Sequence, residues 1–290
     1  MLMKKEIKDF IRIIPPVEND IPLIITSPHS GRNYDIIDKK LLNVSLSSIQ
    51  ALEDRFVDFF LENVDKLGIH SIINDFPRAI LDINRNPYEI DATMFNEKIS
   101  DKVIETENVV RGIGLFIKKN RFGEDIYKSK LDLNHFKFLK NFVYDEWHNV
   151  LSSSLENIYE KNSKYFLIDL HSMPSGKSLK IKDIPDICIG NLKGESCDNR
   201  ITEITKEFFI SKSYKVSINN PYSGGFITKE YSNSYINKNV LQIEISRDLY
   251  MDESNLKLIN NFYKVRDDFF EYFSNISEFL KTDYQKLNVA

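Results

Sequence analysis

The 290 residues are 42% hydrophobic and 28% charged, ample for a substantial α/β core, and their net charge of -4, with lysines and acids interspersed, gives no case for a nucleic-acid partner. Cys188 and Cys197 are the only cysteines, too few for a disulfide framework or a cysteine zinc site, and they read as free thiols in a reducing compartment. Met1 to Phe10 carries charges throughout without an apolar leader, and no apolar run reaches the roughly 20 residues of a membrane span, so the expectation is a cytoplasmic chain with no membrane partner.

In chain order, Ile13-Ile14-Pro15-Pro16 reads as an edge strand or a tether. The first firm strand, Ile21 to Ser27, runs straight into Pro28-His29-Ser30-Gly31, so an imidazole sits where a buried strand meets a glycine-containing loop. Ser47-Ser48 then predicts a helix to about Leu67, stopped by Gly68, with Ile49, Leu52, Phe56, Phe59, Phe60, Val64 and Leu67 on its buried stripe. Two short strands are expected at His70 to Asn74 and Ala79 to Ile83, the second ending in Asp82-Ile83-Asn84-Arg85. Tyr88 to Lys130, with Gly112, Gly114 and Gly123, reads as irregular with a hairpin, and helical spacing resumes from Leu133 to Lys161.

The apolar run from Lys164 then ends in Asp169-Leu170-His171-Ser172-Met173, a buried strand that delivers a second imidazole to its carboxyl end, where open α/β sheets place their ligand crevices. A loop from Pro174 to Pro185, a short strand at Asp186 to Gly190, a helix at Asp198 to Ser211 and a loop from Asn219 to Tyr235 follow. The strand Val240 to Arg247 and an amphipathic helix from Asn255 to Lys281 close the chain. Neither repeats nor low-complexity segments interrupt it, and a single domain over residues 1–290 is expected.

Of the five histidines, His29 and His171 each follow a strand directly, where a rigid metal ligand would be placed. His70 and His135 read as solvated structural residues, and His148 as a packed helix residue, with support of a ligand residue or contact with substrate as its alternative. A hydrolytic metal site needs a third ligand, usually a carboxylate, and Glu53 and Asp54 are both candidates, Asp54 lying 25 residues after His29. Glu244 interrupts an apolar strand between Ile243 and Ile245, so it needs a partner. A water at a metal would make it a general base, whereas the polar side of an edge strand is the plainer account.

Six motifs then occur in order: Pro28-His29-Ser30-Gly31, Glu53-Asp54-Arg55, Asp82-Ile83-Asn84-Arg85, Asp169-Leu170-His171-Ser172-Met173, Pro221-Tyr222-Ser223-Gly224-Gly225 and Gln242-Ile243-Glu244-Ile245-Ser246-Arg247. In these residues, spread over positions 22 to 252, the chain resembles the N-formylglutamate amidohydrolases, within the wider group of zinc-carboxypeptidase-like and aspartoacylase-like hydrolases. The resemblance implies a phosphorylase/hydrolase-like (zinc-carboxypeptidase-like) fold, a mixed, mostly parallel sheet of about eight strands flanked by helices. It implies a Zn2+ or other divalent metal held by His29, Asp54 and His171, with Glu244 as the catalytic carboxylate. The carboxypeptidase spacing His-x-x-Glu is absent, since the third residue after His29 is Arg32.

The same resemblance assigns Asn84 and Arg85 to the substrate carboxylate, a role that suits arginine's planar fork. Arg78 could polarise the scissile carbonyl or stabilise its oxyanion, and Arg78, Arg247 or Arg32 would be available for a second carboxylate or the oxyanion. The activity this implies is hydrolysis of a small N-acyl amino acid, with N-formyl-L-glutamate as the natural substrate. The alternatives are a carboxypeptidase-like or other N-acyl-amino-acid hydrolase, and an inactive domain that binds a small anion.

Overall fold

The computed structural model describes residues 10–17, 21–99 and 102–287, so the reading of residues 1–9 as leaderless lies outside the described part. Its elements in chain order are β1 (Ile11–Ile14), β2 (Leu23–Ser27), α1 (Leu46–Gln50), β3 (His70–Asn74), α2 (Glu107–Val110), α3 (Leu133–Leu139), α4 (Glu146–Asn162), β4 (Tyr165–Met173), α5 (Gly176–Leu179), β5 (Ile187–Gly190), α6 (Asn199–Ser211), β6 (Val216–Ile218), α7 (Phe226–Glu230), β7 (Lys238–Ser246), β8 (Met251–Asp252), β9 (Lys257–Leu258) and α8 (Phe262–Leu287). Two compact units emerge, one from the described residues of Met1–Arg12, Pro28–Arg55 and Asn74–Leu151, the other from those of Ile13–Ser27, Phe56–Ile73 and Ser152–Ala290. Among the described residues no helix is long and apolar enough to cross a membrane.

The second unit carries the sheet, seven strands in the order β1-β3-β2-β4-β7-β5-β6, and β1 is the edge strand that Ile13-Ile14 suggested. β2 runs parallel to β3 and β4, β4 to β7, and β5 to β6; of the registered pairings in this sheet β5–β7 alone is antiparallel, which makes the sheet mixed but mostly parallel, as expected. β4 is buried at all nine positions, as a parallel strand covered on both faces should be. Phe166, Ile168 and Leu170 of β4 join Leu241, Ile243 and Ile245 of β7 in the main apolar core. α8 lays Phe262, Val265, Phe269, Phe273, Ile276 and Leu280 into the same core, a stripe with helical spacing.

The first unit is built from turns, α1 to α3 and the start of α4, up to Leu151. Asp132 starts α3 by accepting the amide protons of Asn134 and His135 on Oδ1, and a π-helical segment, Lys140–Asp145, joins α3 to α4, so the long helix expected from Leu133 is present with a bulge. Phe95, Phe116 and Phe136 pack edge to face with ring centroids 4.7–5.8 Å apart. An antiparallel bridge between Lys119 and Asp125 closes the expected hairpin around Gly123, whose φ is +81°.

Three expectations are corrected. The helix expected up to Leu67 stops at Gln50, because the Asp54 amide bonds to the His29 carbonyl at 3.0 Å instead of reaching back to Gln50. Left-handed residues at Phe56 and Asn63 then divide the remainder into 3₁₀ turns, Val57–Leu61 and Val64–Leu67, although Gly68 ends them as expected. Residues Ala79 to Ile83 are turns rather than a strand: the amides of Ile80 and Leu81 both bond to the Pro77 carbonyl, and burial alone gave the segment its strand-like composition. α8 starts at Phe262 and not at Asn255, because Asp252 gathers Ser254 and Asn255 into a turn and Lys257–Leu258 pairs with β8.

Candidate metal centre

The turn after β2 is fixed from three directions. Asn74, at the end of β3, donates through Nδ2 to the Pro28 carbonyl at 2.8 Å. A Cβ on Gly31 would lie 2.2 Å from the Phe76 carbonyl oxygen, so the backbone can approach there only as glycine. The Asp54 amide caps the His29 carbonyl, and Ser30 Oγ donates to the Asp54 carbonyl at 3.3 Å. These bonds hold Asp54 Oδ2 3.3 Å from His29 Nδ1.

The other ring nitrogen, His29 Nε2, lies 2.7 Å from Asp82 Oδ1. Asp82 is fully buried and receives Arg78 Nε at 3.0 Å, Arg85 Nη2 at 3.5 Å and the Asn84 amide at 2.9 Å. Burial would raise its carboxyl, but Arg78, Arg85 and His29 together hold it well below the usual range. An ionised carboxylate only accepts, so His29 Nε2 donates to Asp82, and Nδ1 is the ring nitrogen that faces Asp54.

His171 repeats the arrangement on β4. Its Nε2 lies 2.9 Å from Oδ2 of Asp169, two residues earlier on the same strand face. The other Asp169 oxygen accepts Thr26 Oγ1 at 2.9 Å, Thr26 being its register partner on β2. Each histidine therefore has Nε2 held by a buried carboxylate, the arrangement that orients metal-ligating imidazoles. The sequence reading assigned neither carboxylate this role. The Asp-x-His spacing on one strand face could have revealed Asp169, whereas Asp82 stands 53 residues from His29 with no local signal.

Glu53 and Asp54 separate clearly. Glu53 Oε2 takes Arg55 Nε at 2.9 Å, and burial pushes its carboxyl up to about 7 despite Arg55. Asp54 is instead the carboxylate grouped with the histidines. Among the described residues, His29, Asp54 and His171 form a buried set whose ligand atoms, one from each, lie within 4.8 Å of one another. Two imidazoles and a carboxylate are the donor set of a catalytic zinc site that keeps one position open.

Glu244 is the register partner of His171 on β7 and is 7% exposed. β7 lies between β4 and β5, so the edge-strand account of this carboxylate does not hold. Gln242 Nε2 donates to Glu244 Oε1 at 2.8 Å. Arg247, also buried, donates from Nε to Ser172 Oγ at 3.1 Å, and Arg32 donates to the Ser30 carbonyl at 3.1 Å.

The Asp82–Arg85 segment is tied to the helices of its own unit. Tyr144, in the π-helical turn, donates its hydroxyl proton to the Arg85 carbonyl at 2.7 Å, and His148 Nε2 lies 2.9 Å from the Ile83 carbonyl. His148, read as a packed helix residue, thus holds the loop that bears Asn84 and Arg85. Arg85 Nε itself bonds to the Ile113 carbonyl at 2.9 Å.

The family model for N-formylglutamate amidohydrolase matches residues 21–251. An N-formylglutamate deformylase of Pseudomonas putida is 23% identical over 240 residues, covering 81% of this chain and 83% of the relative. That of Pseudomonas aeruginosa is 24% identical over 242 residues, covering 80% and 83%. The crystal structure of N-formylglutamate amidohydrolase from Ralstonia eutropha superposes with a TM-score of 0.89 at 26% identity, covering 94% of this chain and 99% of that one. With the match spanning every motif from the His29 loop to Arg247, the chain belongs to the N-formylglutamate amidohydrolase family.

Proposed function

We propose that the chain hydrolyses N-formyl-L-glutamate to L-glutamate and formate, with a divalent cation, zinc by choice of donors, held by His29, Asp54 and His171. The observation that carries this reading is the buried His29–Asp54–His171 group, with Glu244 in register beside His171. Family membership supports the substrate, since the relatives named above are N-formylglutamate deformylases.

A divalent cation bound there supplies a Lewis acid for the amide carbonyl and lowers the pKa of a water molecule. Asp82 and Asp169 hold Nε2 of His29 and His171, which would leave Nδ1 of each imidazole to a bound cation. Glu244 takes a proton from the attacking water, whose oxygen bonds to the formyl carbon, and returns it to the amine as the C–N bond breaks. Asn84 and Arg85 hold the α-carboxylate, while Arg247 and Arg32 are available for the side-chain carboxylate. Arg78 stabilises the developing oxyanion. Asp82 anchors the guanidinium groups of both Arg78 and Arg85, which orders them before an anionic ligand arrives. The buried free thiols Cys188 and Cys197 suit a reducing compartment, and we place the enzyme in the cytoplasm.

The test is turnover of N-formyl-L-glutamate beside other N-acyl amino acids and short peptides, with and without added zinc. Preference for the formylated dicarboxylate, lost on chelation, is expected. Faster turnover of a C-terminal peptide bond would contradict the substrate assignment.

A further inference from the structure

Behind Glu244 runs a line of hydrogen bonds that the steps above leave unused. Gln242 and Glu244 share one face of β7, and beyond the Gln242 amide Thr228 Oγ1 lies 3.5 Å from Gln242 Oε1. The Thr228 hydroxyl in turn accepts the Gly225 N–H at 3.3 Å. The direction of the line follows from chemistry alone. A carboxylate only accepts, so it takes the amide NH2; the amide oxygen then faces Thr228 and takes its hydroxyl proton, while Thr228 Oγ1 accepts the Gly225 N–H. Thr228 is 0% and Gln242 5% exposed, so none of these bonds is easily replaced by water.

The glycines of the Pro221 to Gly225 motif explain how the loop reaches this line. Gly190 is the register partner of Gln242, and a Cβ on it would lie 2.8 Å from the Gly224 amide nitrogen. Gly224 itself has φ +130°, and a Cβ there would meet Thr228 Cγ2 at 3.0 Å. The absence of both Cβ atoms lets the turn press onto β5 and present the Gly225 N–H to Thr228.

We propose that Gln242 is a positioning residue for Glu244, with Thr228 and the Gly224-Gly225 turn fixing the orientation of its amide. The proposal rests on the reading of Glu244 as the group that moves the proton. Tying Oε1 to Gln242 fixes the rotation of the carboxylate about its last bond, so its second oxygen takes one direction in every turnover. A backbone amide two elements away is thereby coupled to the geometry of proton transfer.

The experiment is steady-state kinetics on N-formyl-L-glutamate for the wild type, Gln242→Leu, Glu244→Gln, the double variant, Thr228→Val and Thr228→Ser, with metal content and melting temperature measured on each. The expected result for Gln242→Leu is a fall in kcat of about 10- to 100-fold, the range for residues that orient a reactive group from behind. KM should stay within about two-fold, since no ground-state binding is removed. In the Glu244→Gln background the same change should add nothing, because it acts only through that carboxylate. Thr228→Val should lower kcat in the same sense by less, and Thr228→Ser should recover most of that loss. Wild-type kcat in Gln242→Leu, or effects that multiply in the double variant, would overturn the proposal. If Gln242→Leu does not fold, the Thr228 pair decides, and equal kcat in Val and Ser overturns it. Wild-type turnover in Glu244→Gln would instead overturn the reading on which it rests.

Discussion

The two faces of β4 and β7 are made by alternate residues of the same strands, yet they do different work. One face presents Ile168, Leu170, Leu241, Ile243 and Ile245 to the core beneath α8. The other presents Asp169, His171, Gln242 and Glu244, all at most 7% exposed, and holds each by a directed hydrogen bond. Burial is nearly equal on the two sides. Apolar packing tolerates small shifts of direction, whereas a buried carboxylate without a partner costs more than the bond itself is worth, so the polar face must be placed accurately. The apolar face supplies that accuracy by clamping the strands, and the lesson is that a two-residue period lets one strand be scaffold and site together.

The comparison breaks if changes on the two faces have the same consequence. The largest effect expected is in Glu244→Gln, where turnover of N-formyl-L-glutamate should fall by about 10²- to 10⁴-fold, the usual contribution of a positioned acid–base group. Its urea midpoint should remain close to that of the wild type. Next comes Ile243→Ala, one residue away on the opposite face, which should lose about 2–5 kcal/mol of stability in urea unfolding through the cavity it opens. Its kcat per folded molecule should be preserved, and a kcat loss as deep as that of Glu244→Gln would show that the faces are not separable.

Asp169→Asn returns to the polar face and should weaken metal binding by about 10- to 100-fold, measured by competition with a chelator. Unaltered affinity would remove Asp169 from the orientation of His171. Asp132→Ala touches neither face; it deletes the cap of α3 and should cost about 1 kcal/mol of stability with metal content unaffected.

What could be read from the sequence divides along the same physical line. Strands β2, β3, β4, β5 and β7 were legible because buried parallel strands are continuous apolar runs, and His29, His171 and Glu244 stood out as polar residues set into or just beyond such runs. The segment after Gln50 was misread because its apolar spacing is helical, while a bond from Asp54 to His29 and left-handed residues at Phe56 and Asn63 decide its path. Those are tertiary facts with no local signature. Asp82 illustrates the same limit in the site: its acid type and its position before Asn84-Arg85 were visible, but its bond to His29 spans 53 residues. The three-residue β6 was missed, as Val216–Ile218 is too short to show a period.

The central claim is that His29, Asp54 and His171 hold a divalent metal. Elemental analysis of the purified protein, wild type against His171→Ala, tests it most directly. The account predicts about one zinc per wild-type chain and its loss in the variant, with the fold intact by circular dichroism. A wild-type protein that takes up no divalent metal even after incubation with zinc, or a His171→Ala variant that retains it in full, would contradict the account.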